Sequence, residues 1–274
     1  MRLSRSKTVV LLGTALVTVG LTGRAAAEDS LSRHHPNATP AIIRHSPVPS
    51  VTRPSPSAKP KSTAVKAISK RLGGPGGSHI TTGTSAVALT FDDGPDPAQT
   101  PKILKLLAQQ HVHATFCLVG KNVRAHPELV RQIVAGGNTL CNHTWRHSLT
   151  LGKKPAAAIR ADLSSTNAAI QKAVPGAKVK YFRAPGGNFT PRLVSVAKQL
   201  GMTSIYWKVD PRDWDHPKGE SHATHRSKVI STVEKRTRKG SIVLSHDYAQ
   251  PDTIAAYHTL VPWLRQRYKL IALP

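Results

Sequence analysis

The chain has 274 residues, 39% of them hydrophobic, with 39 Lys and Arg against 14 Asp and Glu, a formal net charge of +25. This composition fits a soluble globular domain able to bury a core, and it excludes a multi-span membrane bundle. The charge draws the chain to polyanions, an anionic cell wall among them, while 5% aromatic residues and no recognisable motif speak against a specific nucleic-acid reader.

Along the chain, Arg2, Arg5 and Lys7 precede an apolar run over residues 9–21, and Ala25, Ala26 and Ala27 follow as a small-residue cleavage site. Residues 1–27 therefore read as a secretory signal peptide, the run being shorter than the ~20 residues a spanning helix needs. The expected localisation is secreted, extracellular or cell-wall associated, with no transmembrane span after cleavage. Residues 28–83 are rich in Pro, Ser and basic residues and read as a disordered linker, with His34, His35 and His45 as solvated residues within it. Residues 81–274 still carry 27 Lys and Arg against 12 Asp and Glu, so the tail is not the sole source of charge.

Residues 84–274 read as one domain in which short β-rich runs alternate with helical ones. Strands are expected over 86–91, 114–119, 139–142, 179–182, 203–209, 241–246 and 268–272. Helices are expected over 100–110, 127–135, 155–173, 191–200, 228–238 and 253–267. Pro101, Pro127, Pro155 and Pro191 stand where a helix's first turn tolerates proline. The alternation predicts an α/β fold of about seven parallel strands, either an incomplete or distorted (β/α) barrel or a doubly wound open sheet. Cys117 and Cys141 are the only cysteines. In an oxidising compartment they can pair, and two buried thiols are the alternative.

Polar residues gather at the carboxyl ends of five of these strands, the face on which parallel β/α proteins build their sites. His143 and His147, four apart, would share one face of a helical turn. With a carboxylate they make an open site for zinc or a neighbouring divalent ion. Asp92-Asp93 is an ordinary turn sequence by itself. Beside a dication, two adjacent carboxylates can divide the labour, one binding metal and one taking a proton from water. His246 suits a general acid whose pKa Asp213 would raise, and Arg183 can hold a catalytic carboxylate ionised. Ser245 beside His246 suggests a serine hydrolase only weakly, because no Gly-x-Ser-x-Gly elbow is present. His222 and His225 read as residues of a solvated loop.

The segments around Asp92-Asp93, His143 to His147, Arg183 to Gly187, Asp213-Trp214 and Leu244 to His246 resemble, in order, the five motifs of the NodB-type polysaccharide deacetylases, carbohydrate esterase family four. The resemblance covers roughly residues 84–272 and implies that family's distorted (β/α) barrel. It implies Asp92 as general base, Asp93, His143 and His147 as ligands of a divalent metal, and His246 as general acid. Arg183 would support the base and Asp213 would tune His246. Trp214 would line the groove and Leu244 the acetyl methyl. One departure stands out: Gly186 occupies a position where the family often has an aromatic, though its N–H can still serve an oxyanion.

The implied cofactor is zinc, with cobalt or another divalent ion as alternatives. The implied partner is an acetylated polysaccharide bearing N-acetylglucosamine, of peptidoglycan or chitin type, and the chain is expected to act as a monomer. An acetylxylan esterase would use the same site, and a non-catalytic envelope-binding protein would need none of it.

Overall fold

The computed structural model describes residues 73–274. The expected signal peptide and the linker up to residue 72 lie outside the described residues. The linker's remainder does not: His79 bridges Ile205 and Thr81 bridges Ser241, so the folded segment begins before residue 84.

Seven strands form one sheet: β1 (Val87–Asp92), β2 (Thr115–Leu118), β3 (Thr139–Asn142), β4 (Tyr181–Phe182), β5 (Thr203–Ser204), β6 (Ile242–His246) and β7 (Leu270–Ile271). Their order is β5-β4-β3-β2-β1-β6, with β7 beside β1. Every strand pair is parallel. Seven helices connect them: α1 (Thr100–Gln109), α2 (Gly120–Ala125), α3 (Pro127–Ala135), α4 (Ala156–Ala173), α5 (Pro191–Gln199), α6 (His222–Arg236) and α7 (Pro251–Arg265).

The sheet curls because the segment after β5 leaves β4 and joins β6. Ile205 N–H donates to the Phe182 carbonyl, whereas Lys208 N–H donates to the Ile242 carbonyl and Leu244 N–H to that of Val209. The expected strand over 203–209 is thus cut to two residues plus a bridge at Val209, and that crossing turns an open parallel sheet into a distorted barrel.

Alternation along the strands separates two apolar environments. Val87, Leu89 and Phe91 pack outward with Ile103, Leu107, Tyr257 and Leu260 in the main core. Ala88, Cys117, Cys141, Ile205, Ile242 and Leu273 form the inner cluster. Phe91 stacks on Phe116 at 5.3 Å and meets Tyr257 edge-on at 5.0 Å, contacts worth about 0.5–1.5 kcal/mol each beyond burial. Capping fixes where helices begin: Thr190 Oγ1 accepts from Leu193 N–H, and Ser221 Oγ from Thr224 N–H. The second cap starts α6 at His222 rather than at the expected residue 228. His222 and His225 therefore lie on a helix, and His225 is buried, contrary to the solvated loop expected for them.

Cys117 and Cys141 are register partners on β2 and β3, and their sulfurs are bonded. Closing a loop of sequence separation 24 stabilises a fold by roughly 2–4 kcal/mol. Alkylation of the denatured, unreduced protein should label neither cysteine, and labelling of both without reductant would show that the bond does not form. Reduction should lower the free energy of unfolding by roughly 2–4 kcal/mol.

Candidate metal centre and active-site cavity

The site lies where β1, β3, β4 and β6 end. Asp92 closes β1 and is the register partner of His246 on β6 and of Cys117 on β2. The chain then turns sharply, and Asp93 takes a positive φ of 75°. Gly94 packs against the carboxylate of Asp247, where an added Cβ would lie 2.5 Å from Oδ1, so no other residue fits there without displacing that carboxylate.

Asp93 Oδ1 lies 3.3 Å from His143 Nε2 and 3.2 Å from His147 Nε2. His143 and His147 do not meet across a helical turn, as their spacing suggests. They sit in a bend after β3 in which Thr144 and His147 both have positive φ, 67° and 54°. That backbone brings the rings to 5.1 Å. His143 Nδ1 lies 2.9 Å from the Arg183 carbonyl. A carbonyl only accepts, so Nδ1 carries a proton, and in the neutral tautomer that a metal ligand requires Nε2 turns its lone pair toward Asp93.

Asp93 Oδ1 is buried and has no hydrogen-bond donor. A buried acceptor facing an imidazole lone pair is costly unless a cation stands between them. The side-chain atoms of Asp93, His143 and His147 all lie within 4.8 Å of one another, so the three residues fit a divalent metal. Burial by itself would raise the Asp93 carboxyl, but His143, followed by His246 and His147, outweighs it and holds the group well below the usual carboxylate range. Burial lowers the His147 pKa more than Asp93 restores it, which favours the neutral imidazole.

Beside this centre, Arg183 is fully buried inside the barrel. Its Nη1 donates to Asp92 Oδ1 at 2.6 Å and to Thr90 Oγ1 at 2.8 Å, and its Nη2 to the Tyr206 carbonyl at 3.1 Å. On the β6 side, His246 Nδ1 pairs with Asp213 Oδ1 at 2.9 Å. Asp213 Oδ2 accepts from His246 N–H at 2.8 Å and from Thr253 Oγ1 at 2.7 Å. Burial opposes charge on His246, but Asp213, with smaller contributions from Asp92 and Asp93, pushes its pKa up to about 9. A bound dication would offset the Asp92 and Asp93 contributions, leaving Asp213 as the main support. Ser245, by contrast, is buried with its hydroxyl 2.5 Å from that of Tyr257, inside the core and not presented to the cavity.

These groups open into a cavity of about 500 Å³ lined by Asp92, Asp93, His143, His147, Gly186, Trp214, Leu244 and His246, all expected from sequence. Leu149, Asn188, Trp207 and Asp210 line it as well and were not expected. Trp207 stacks on Tyr206 at 3.8 Å. The pair closes over Gly187, where a Cβ would lie 2.6 Å from Tyr206 and 2.9 Å from Trp207. Gly187 thus makes room for two aromatic rings. Trp214 stays exposed with the Arg212 guanidinium 4.6 Å above its ring. Asp247, also unexpected, is fully buried, and burial pushes its carboxyl up to about 7.

The polysaccharide deacetylase family profile matches residues 79–205. The chain is 35% identical over 200 residues to a chitooligosaccharide deacetylase of Sinorhizobium fredii, covering 68% of this chain and 88% of the relative. It is 34% identical over 190 residues to a peptidoglycan-N-acetylglucosamine deacetylase of Bacillus cereus, covering 68% of this chain and 84% of the relative. A solved carbohydrate esterase family 4 pseudoenzyme from Bacillus anthracis superposes with a TM-score of 0.64 at 27% identity, over 72% of this chain and 69% of that one. The chain belongs to the NodB-type polysaccharide deacetylases of carbohydrate esterase family 4. Because a pseudoenzyme shares the fold, activity has to be argued from the side chains.

Arg183→Met leaves Asp92 buried without its partner. It should lower the free energy of unfolding, measured in urea, by about 3–5 kcal/mol. A loss within ~0.5 kcal/mol would place Asp92 in a far more solvated setting than the structure gives it.

Proposed function

We propose that this protein is an exported, zinc-dependent deacetylase that hydrolyses N-acetyl groups of a glycan containing N-acetylglucosamine, of peptidoglycan or chitin type. The observation that carries the reading is the convergence of Asp93 Oδ1, His143 Nε2 and His147 Nε2 in one cavity with an arginine-held carboxylate and an aspartate-held imidazole. The relatives support the substrate class, being active on chitooligosaccharide and on peptidoglycan N-acetylglucosamine by name. The net charge of +25 favours an anionic wall polymer over neutral chitin. Export rests on the sequence of residues 1–27. No described helix is long and apolar enough to cross a membrane.

When bound by Asp93, His143 and His147, a divalent ion supplies Lewis-acid polarisation of the acetyl carbonyl and lowers the pKa of a water molecule. Asp92 then accepts the proton of the attacking water, held in position by Arg183. The water oxygen bonds to the carbonyl carbon, and the carbon–nitrogen bond breaks. His246, kept protonated by Asp213, gives its proton to the departing nitrogen, so the products are acetate and a free amine. Leu244 offers an apolar wall for the methyl group. Trp207 and Trp214 offer aromatic faces for sugar rings. Gly186 lies on the cavity wall, and its N–H would assist the carbonyl oxygen.

Asp92→Asn should keep its metal and lose turnover by roughly 10²–10⁴-fold. His143→Ala should lose metal by elemental analysis, and unchanged metal content would remove His143 from the ligand set. Acetate release measured side by side on peptidoglycan, chitin oligomers and acetylated xylan tests the substrate. Release from the ester polymer alone would overturn the amide reading.

The pH profile carries the sign of the His246 shift. The pKa is raised, so the proton needed by the leaving group is present below the folded-state value and lost as pH rises through it. Activity should therefore decline on an alkaline limb. Asp213→Asn should move that limb to lower pH, toward the ordinary histidine value of 6.5. An unmoved limb would mean that His246 is not the group titrating.

A further inference from the structure

A second group of histidines lies on the loop before α6 and on that helix's first turns. His216 Nε2 lies 2.9 Å from the Glu220 carbonyl, and His225 Nε2 lies 3.0 Å from the Asp213 carbonyl. Each Nε2 must donate, so each ring in its neutral form would keep a lone pair on Nδ1. His225 Nδ1 stands 3.3 Å from Glu220 Oε2, the separation found between His143 Nε2 and Asp93 Oδ1. The His216 ring stacks on that of His225 at 4.6 Å. One ligand atom from each of His216, Glu220 and His225 lies within 4.8 Å of the others. As at His143, each ring is oriented by a backbone carbonyl, and His225 Nδ1 lies within hydrogen-bond distance of a carboxylate oxygen.

We propose that His216, Glu220 and His225 form a second site for a borderline divalent ion such as zinc, separate from the Asp93 centre. Two imidazoles and one carboxylate suit zinc, cobalt or nickel, and the backbone carbonyls act as the outer shell that fixes ligand orientation. His225 is buried and His216 is partly open to solvent, which gives the ion an entry path. Other charges face the group. Lys228 pairs with Glu220 Oε1, leaving Oε2 toward the histidines. His222 and Arg226 both pair with Asp252, whose Oδ2 lies 3.9 Å from His216 Nδ1. The consequence for the cavity is direct. His225 holds the backbone of Asp213, and the side chain of Asp213 holds His246. An ion here would fasten the segment carrying Asp213 and Trp214 to α6.

The opposing arrangement is a protonated His225 that donates to Glu220 with no ion present. Zinc content separates the two. The full chain is stripped with a chelator, reloaded with zinc, freed of excess by gel filtration and counted by elemental analysis. His216→Ala should carry one equivalent less than wild type. The pair His143→Ala/His147→Ala should also lose one, and the triple variant both. Histidines 34, 35 and 45 are common to all these proteins and cancel in the differences. A His216→Ala protein with the wild-type count would overturn the proposal.

Cobalt provides the check that does not depend on that variant's folding. In the His143→Ala/His147→Ala background, cobalt should give a visible absorption band that Glu220→Gln removes. Absence of the band in that background would also overturn the second site. Failure of His143→Ala/His147→Ala to lower the zinc count would instead count against the first site, so the two readings fail separately.

Discussion

Asp93 Oδ1 is a buried oxygen with no donor, facing two imidazole nitrogens at 3.2 and 3.3 Å. The rest of the site is built to keep those three atoms together. The Arg183 carbonyl fixes the tautomer of His143, and positive φ values at Asp93, Thr144 and His147 aim the side chains inward. Backbone in that region costs energy at residues other than glycine, and it persists only where surrounding structure holds it. The strand ends provide that hold: Asp93 N–H donates to the Cys117 carbonyl and His143 N–H to that of Leu118.

The barrel itself supplies the second requirement, a charge that stays charged without water. Arg183 runs through the interior with Thr90, Asp92 and the Tyr206 carbonyl as partners, yet its Nε has none. Most of the guanidinium is compensated and one N–H is left over. That cost is offset by the hold Arg183 keeps on the Asp92 side chain at the end of β1. The Asp213–His246 pair follows the same logic with the sign reversed, a buried carboxylate keeping an imidazole protonated. A carboxylate held by an arginine and an imidazole held by a carboxylate are thus neighbours in register on β1 and β6 and open into one cavity.

Much of this was legible because parallel strands write their function at their ends. Strands β1, β3 and β6 were legible to within about one residue, since their apolar runs are continuous and each ends in ionisable residues. The parity of the inner face follows from those ends: Ala88, Thr90 and Asp92 on β1, and Ile242, Leu244 and His246 on β6. Curvature was not legible. Nothing in residues 203–209 signals that the chain changes partners from β4 to β6 after Ser204, because that choice is made by neighbouring strands. The bend at His143–His147 was misread as a helical turn, since a four-residue spacing looks the same whether a helix or two left-handed residues create it. Trp207 carried no motif at all. The start of α6 was misplaced because the helix opens with polar residues ahead of its apolar face.

The most direct test of the account is the position of the metal itself. A crystal of the zinc-loaded protein, measured on either side of the zinc absorption edge, should give an anomalous peak about 2.0–2.2 Å from Asp93 Oδ1, His143 Nε2 and His147 Nε2. Asp92 should lie beside that peak and outside direct coordination. A loaded crystal with no peak at these atoms, and His143 Nε2 hydrogen-bonded to Asp93 instead, would contradict the central claim.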